Sequence, residues 1–365
     1  MTTNAITDST TARACEQAAV SSSTVIFLGI DVAKRLQTVA RFVPGEGVKP
    51  AEKITAATLV KRVAKWRKAG YAVHCVYEAG PTGFGLARQL IALGATCLVV
   101  RAKRLERYGR RRKNDPRDAQ HLAEDLAAHH FGRKGLLCPV RQPSVEEELL
   151  RLPGRQRDTL SRVRTKILNS ATGRALALGF ALPKQWWRPR VRPGALVGLP
   201  PALATLLERA ATAAAALLTQ LDAIESDLTE RAAPAPIGVG AVTTAIVDAE
   251  VCNWYRFKNH RRVGSFAGLC PSENSTGDRH EQGSIDKHGS GRLRFYLQEA
   301  AWRLLRFQPD YHGCLWARER MLTANKTRIK QLMVGLARRF LIDWWRVRTG
   351  KTRWEELGMT MKPAA

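Results

Sequence analysis

Three short apolar runs, residues 24–31, 71–78 and 95–100, alternate with segments of helical period and make the N-terminal third an α/β layer. Each run has the length of a buried strand and is too short for a helix. Residues 36–43 supply a partner strand for the first; 56–69 and 86–93 read as helices, with a Gly-flanked loop between 80 and 85. Two of the strands end in an acid. Asp31 closes Phe27-Leu28-Gly29-Ile30-Asp31, and Glu78 closes Val76-Tyr77-Glu78. Strand ends are where sheets of this kind place their chemistry.

Two further acids follow in Asn114-Asp115-Pro116-Arg117-Asp118-Ala119. The spacing predicts a helix over 115–128, with Pro116 near its first position. Asp115 and Asp118 are three apart and share a face of it. Taken singly, each acid also fits a helix cap or a turn. Together, Asp31, Glu78, Asp115 and Asp118 offer the hard oxygen ligands that magnesium takes, with manganese as a substitute. Two such ions held about 3.5–4 Å apart are a known arrangement for phosphodiester chemistry.

The charge balance names the polymer. The chain carries 59 Lys and Arg against 32 Asp and Glu, a net charge of +27. An excess of this size calls for a polyanion, and nucleic acid is the first candidate. Between 101 and 113, eight of thirteen residues are Lys or Arg, immediately before Asp115. We assign Lys103, Arg104, Arg107, Arg110, Arg111, Arg112 and Lys113 to RNA or DNA backbone contact. A solvated charged face is the plainer alternative. No apolar run approaches the ~20 residues that span a bilayer, so no membrane partner is expected.

Seven cysteines without a C-x-x-C pair read as reduced thiols of a cytosolic protein, with neither a zinc site nor a disulfide framework. Residues 1–24, rich in Ser, Thr and Ala, read as a disordered lead-in without the apolar stretch of a signal peptide. His121, His129 and His130 are expected on the helix past Asp118, exposed or touching phosphate.

Residues 142–176 and 200–232 are long helical stretches, the second Ala- and Leu-rich with heptad character. They suit an antiparallel hairpin, a coiled-coil arm or an ordinary helical subdomain. The Pro-rich segment between them holds Trp186 and Trp187, which suit base stacking or core packing. Residues 236–251 resemble the Gly-rich turn and second helix of a helix–hairpin–helix element, whose backbone N–H groups hold phosphate. Arg-rich amphipathic helices are expected over 293–307 and 327–347.

Between these lies Gly268-Leu269-Cys270-Pro271-Ser272-Glu273-Asn274-Ser275-Thr276-Gly277, then Gln282-Gly283-Ser284-Ile285-Asp286-Lys287-His288-Gly289 and Arg292-Leu293-Arg294. A hydroxyl in a Gly-flanked loop, ahead of a cationic helix, has the parts to attack a phosphate. Composition alone equally fits an ordinary turn.

The ordered set Gly-Ile-Asp-x-Ala-Lys, Glu-Ala-Gly, Asn-Asp-x-x-Asp-Ala, Gly-x-Gly, Gly-Leu-x-Pro, Ser-Thr-Gly and Lys-x-Gly resembles the DEDD transposases of bacterial insertion sequences, recombinases guided by a bridge RNA. The resemblance covers about residues 27–345. It implies a RuvC-like N-terminal domain with a ribonuclease-H-type mixed sheet, a helical or coiled-coil arm, and a mainly helical C-terminal transposase domain: an α/β plus α chain. It implies that Asp31, Glu78, Asp115 and Asp118 bind magnesium. It implies a serine nucleophile that forms a covalent DNA intermediate, active sites shared between subunits of a dimer or tetramer, and a guide RNA pairing with donor and target DNA. Some members place the serine immediately before the glycine, where this chain has Thr276. Others share the Ser-Thr-Gly order, and Ser275 is assigned as nucleophile with Thr276 as fallback. Lys287 and Arg294 match the basic positions after the loop and are assigned to phosphate contact.

The expected division is a lead-in to residue 24, a RuvC-like domain over 25–135, an arm over 136–232, a transposase domain over 233–348 and a tail over 349–365. The expected setting is the bacterial cytoplasm, at the nucleoid. A metal-dependent Holliday-junction nuclease, cutting with the four acids and water alone, is the rival enzyme. A non-catalytic nucleic-acid-binding protein is the rival of another class.

Overall fold

The computed structural model describes residues 25–101, 115–273 and 282–362. These part into two units, 25–144 and 145–362. Residues 136–144, expected with the arm, belong to the first. Leu137 joins its core, and Pro139 bridges antiparallel to Val100 at the sheet edge.

The first unit is a mixed sheet. Strands β1 (Val25–Asp31), β2 (Gln37–Val43), β3 (Gly47–Val48), β4 (Glu52–Ile54), β5 (Ala72–Glu78) and β6 (Thr96–Val100) run in the order β3-β2-β1-β5-β6, with β4 beside β2. β1 and β2 are antiparallel, and β1, β5 and β6 are parallel. Helices α1 (Ala56–Lys68) and α2 (Gly85–Ala92) cover one face, burying Leu59, Val63, Ala87 and Leu90 against Leu28, Ile30, Cys75 and Tyr77. Helix α3 (Asp115–His130) covers the other, packing Leu126 and Ala127 on Phe27, Val76 and Val100. With both faces covered, β1 and β5 read as continuous apolar runs and not as alternating ones.

The second unit begins with α4 (Val145–Ala177), followed by a short helix α5 (Arg192–Leu196) and α6 (Pro201–Glu230). The end of α4 packs on the start of α6 through Leu168, Ala171, Ala175, Leu203, Leu207 and Ala211. Arg157, near the start of α4, pairs with Glu225, near the end of α6. The two helices are therefore an antiparallel hairpin. Buried positions 203, 207, 211, 214, 221, 224 and 228 of α6 step three, four or seven residues at a time, the seam of a coiled coil. By length and composition alone α6 would also span a bilayer, contrary to the expectation that no stretch would; its apolarity is that of the seam plus many alanines.

The rest is helical: α7 (Ala241–Val251), α8 (His260–Phe266), α9 (Gly291–Phe307), α10 (His312–Met321) and α11 (Lys326–Arg348), with a two-stranded hairpin of β7 (Pro271–Glu273) and β8 (Gln282–Ile285). Its core stacks Trp254 on Trp344 and gathers Phe340 and Trp354 around them. Trp354, Leu357 and Met359 are buried there, so the described part of the expected tail, to residue 362, is packed structure.

Candidate active site

The sheet brings the two strand acids together. β1 and β5 pair in parallel through Ile30↔Tyr77, so Asp31 and Glu78 follow at the next position of neighbouring strands. Parallel neighbours lie about 4.8 Å apart. Alternation puts Asp31 on the face of Phe27 and Gly29, and Glu78 on the face of Val76, the face that α3 covers.

Helix α3 seats directly on that face. A β-carbon on Gly29 would overlap the Ala119 carbonyl oxygen and the Ala123 amide. Ala40, Ala119 and Ala123 pack together there, small side chains that allow the close approach. Asp118 immediately precedes Ala119, and Asp115 lies one turn earlier, both in the first turn of α3. Gly29 stands two residues before Asp31 on the same face of β1. All four acids therefore belong to one face of the sheet, at the carboxyl ends of β1 and β5.

They are not drawn into a ligating cluster: among the described residues, no three His, Cys, Asp or Glu side chains gather closely enough to hold a metal ion. Asp31 and Glu78 each already have an interaction partner. The donor set fits a hard divalent cation in kind, and holding one requires these side chains to turn toward each other. The basic residues 103–113 fall within 102–114, outside the described residues.

The three histidines of α3 do not serve this site. His121 is exposed and 3.5 Å from Glu124. His130 is at the far end of the helix, about 22 Å along its axis from Asp115, edge-on to Phe27 and Phe131 and tilted against His74. Burial holds the His74 imidazole below its usual range, and the neighbouring His130 and Arg67 push the same way.

In the second unit, Ser275 and Thr276 lie outside the described residues, but the base of their loop does not. Gly268, at φ +64°, and Gly289 pass so close that a β-carbon on Gly289 would overlap the 266–268 backbone. Arg294 Nη1 donates to the Ala267 and Gly289 carbonyl oxygens, each at 3.0 Å. The Asp286 amide donates to the Cys270 oxygen at 2.9 Å. Arg294 thus clasps the two stems of the loop, whereas Lys287 is exposed in the left-handed region at φ +56°.

The turn at 236–240 departs from a phosphate-binding hairpin. Gly238 and Val239 are buried, Gly238 lies against Phe307, and the Ile237 amide donates to the Thr360 oxygen. Gln308 Nε2 ties Ile237 to Thr360 at 2.8 and 2.9 Å. Gly238 serves close packing, whereas Gly240 caps α7 and a β-carbon there would meet only Thr243 Oγ1, at 3.9 Å. Trp186 likewise is core, 1% exposed, with its Nε1 donating to Thr172 Oγ1 at 2.9 Å.

The sequence reading missed Gly29 as the seat of α3 and Arg294 as a clasp. A lone glycine inside a branched apolar strand was the available signal for the first. None marks the second, because its acceptors are backbone carbonyls.

Residues 236–313 match the family described as Transposase IS116/IS110/IS902. "Putative transposase y4qE" of Sinorhizobium fredii is 30% identical, over 78% of this chain and 73% of that protein. "Putative transposase y4rJ" of the same organism is 27% identical over 88% and 91%. The transposase for insertion sequence element IS1111A of Coxiella burnetii is 26% identical over 78% and 79%. The family match spans the Gly238 turn, the loop clasped by Arg294 and helix α9, and the relatives match over most of the chain. The chain belongs to the IS110/IS116/IS902 family of insertion-sequence transposases, enzymes that cleave and rejoin DNA.

Proposed function

We propose that this transposase excises and inserts its own element under the guidance of an element-encoded RNA, using the four acids and a serine. Asp31, Glu78, Asp115 and Asp118 would hold magnesium, or manganese in its place. The bound metal would supply stabilisation of negative charge on the oxygens of the scissile phosphate. The observation that carries this reading is the seating of α3 on Gly29, which leaves four carboxylates on one face at adjoining strand ends.

The Ser275 hydroxyl is the nucleophile. Its oxygen forms a bond to phosphorus as the bond from phosphorus to one deoxyribose oxygen breaks. The proton lost by Ser275 is balanced by one gained on the departing oxygen. Rejoining runs the same exchange in reverse from another DNA end, so phosphodiester energy is conserved and no nucleoside triphosphate is consumed. Lys287, exposed beside the loop, steadies charge on the phosphate. Two copies or more would share the work, with RNA held along 103–113.

A suicide substrate nicked beside the scissile phosphate tests this. The parent protein is expected to give a phosphate-linked protein–DNA adduct that needs magnesium and the element RNA. Ser275→Ala is expected to lose the adduct; Asp31→Asn is expected to lose it while keeping DNA affinity. Free cut ends with no adduct would transfer the chain to the water-using nuclease reading. An adduct from the double variant Ser275→Ala/Thr276→Ala would remove the nucleophile from these two positions.

A further inference from the structure

Charge is divided along the α4–α6 arm. Its base carries Glu146, Glu147, Glu148 and Asp158 on α4, and Asp222, Glu225, Asp227 and Glu230 on α6. Residues 159–207 of the distal half contain eight Lys or Arg and no Asp or Glu, and Glu208 and Arg209 follow on α6. The arm's ion pairs among the described residues lie at the base: Arg155 with Glu250, Arg157 with Glu225, and Asp158 with Arg292. No distal cation is in an ion pair among the described residues.

These cations face outward. Arg162, Lys166 and Arg174 are exposed, while Leu168, Ala171 and Ala175 of the same helix are buried against α6. Arg162 to Arg174 covers about 18 Å of helix. Lys184, Arg188 and Arg190 continue the charge around the exposed tip. The tip is also fixed: Trp186 is wedged in its core, Trp187 meets it edge-on, and the Arg188 amide donates to the Gln185 oxygen.

The same packing decides what the tip can read. Single-stranded nucleic acid is held on exposed aromatic platforms. Here Trp186 is buried, and Phe180 and Trp187 are partly buried against its cluster, so no fully exposed aromatic platform is offered. What remains is a rigid rod of cations, suited to the phosphate backbone of a duplex, where contact is independent of sequence. A transposase acts on duplex DNA at donor and target. We propose that the distal half of the arm, residues 159–207, is a duplex-DNA docking surface that grips backbone phosphates outside the cleavage site. This rests on family membership and not on the roles of Ser275 or the metal.

The test is the salt dependence of full-length protein binding to a random-sequence DNA duplex, in EDTA, so that no cleavage chemistry enters. Lys184→Gln/Arg188→Gln/Arg190→Gln is compared with the charge-matched Lys61→Gln/Lys65→Gln/Lys68→Gln on α1, exposed residues outside the arm. Losing three phosphate contacts is expected to lower the slope of log affinity against log salt by about 2–3, with the α1 triple close to the parent. Equal slopes for the two triples would overturn the proposal. So would an arm triple that weakens binding of a structured RNA while leaving duplex affinity unchanged. Unchanged circular dichroism and unchanged protease resistance of residues 180–192 confirm that the tip remains folded. An intact adduct with lost duplex affinity, or the reverse, separates this surface from the nucleophile.

Discussion

The backbone of Gly29 lies so close beneath Ala119 that not even a methyl group fits between strand β1 and helix α3. Gly29→Ala must push the helix off the sheet, and overpacking of this kind costs about 1–3 kcal/mol. The helix carries Asp115 and Asp118, so DNA cleavage is expected to fall further than stability. Gly173 is the internal comparison, an exposed glycine within α4 whose β-carbon would meet nothing. Gly173→Ala is expected to stabilise by up to ~1 kcal/mol. Urea titration of both variants reads the contrast.

Asp158 gathers the base of the arm. Its carboxylate accepts from the Tyr296 hydroxyl at 2.6 Å and pairs with Arg292 at 2.8 Å. Asp158→Ala is expected to cost about 1.5–3 kcal/mol in thermal or urea unfolding, the range for hydrogen bonds to a charged group. Burial first, and the bond to Asp158 second, push the Tyr296 phenol from 10.0 up to about 12. The fold then holds a proton that the unfolded chain releases, so stability falls as pH rises between those values. Tyr296→Phe is expected to lessen that alkaline loss.

Arg294 closes the stems of the loop that carries Ser275. Arg294→Lys carries its nitrogen one bond short of Nη1, the single atom that donates to both the Ala267 and Gly289 carbonyls. Faster hydrogen exchange is expected at the Asp286 amide, which bonds Cys270 across the stem. Exchange at Leu59 and Val63 of α1 is expected to stay as in the parent.

The first unit loses stability in mild acid. His74 stacks on Phe27, ring centroids 5.3 Å apart, and its pKa is depressed below 6.5. The unfolded chain therefore takes up this proton first, and stability drops as pH falls through 6.5 toward the depressed value. His74→Phe keeps the stack and is expected to flatten the curve, read by denaturation between neutral and mildly acidic pH.

Trp186 is the keystone of the arm tip. Trp186→Ala is expected to cost about 3–5 kcal/mol locally, freeing the tip to proteolysis while the sheet of residues 25–144 resists. Acrylamide quenching is expected to spare Trp186 in the parent.

The strands were legible because burial on both faces leaves unbroken apolar runs: residues 71–78 correspond to Ala72–Glu78 and 95–100 to Thr96–Val100. The long helices were legible from period, and 327–347 corresponds to Lys326–Arg348. β3 and β4 went unseen because two- and three-residue edge strands carry too little pattern. α10 went unseen because its apolar residues have no preferred side. At the candidate site, chemistry was legible and contact was not. Asp31 and Glu78 announce themselves at strand ends, whereas register, the Gly29 contact and the Arg294 clasp come only from the chain folding on itself.

The four acids travel on two carriers. Asp31 and Glu78 are fixed to each other by the parallel ladder, and Asp115 and Asp118 by one helical turn. Bringing the two pairs together therefore turns on one contact, the seating of α3 on Gly29.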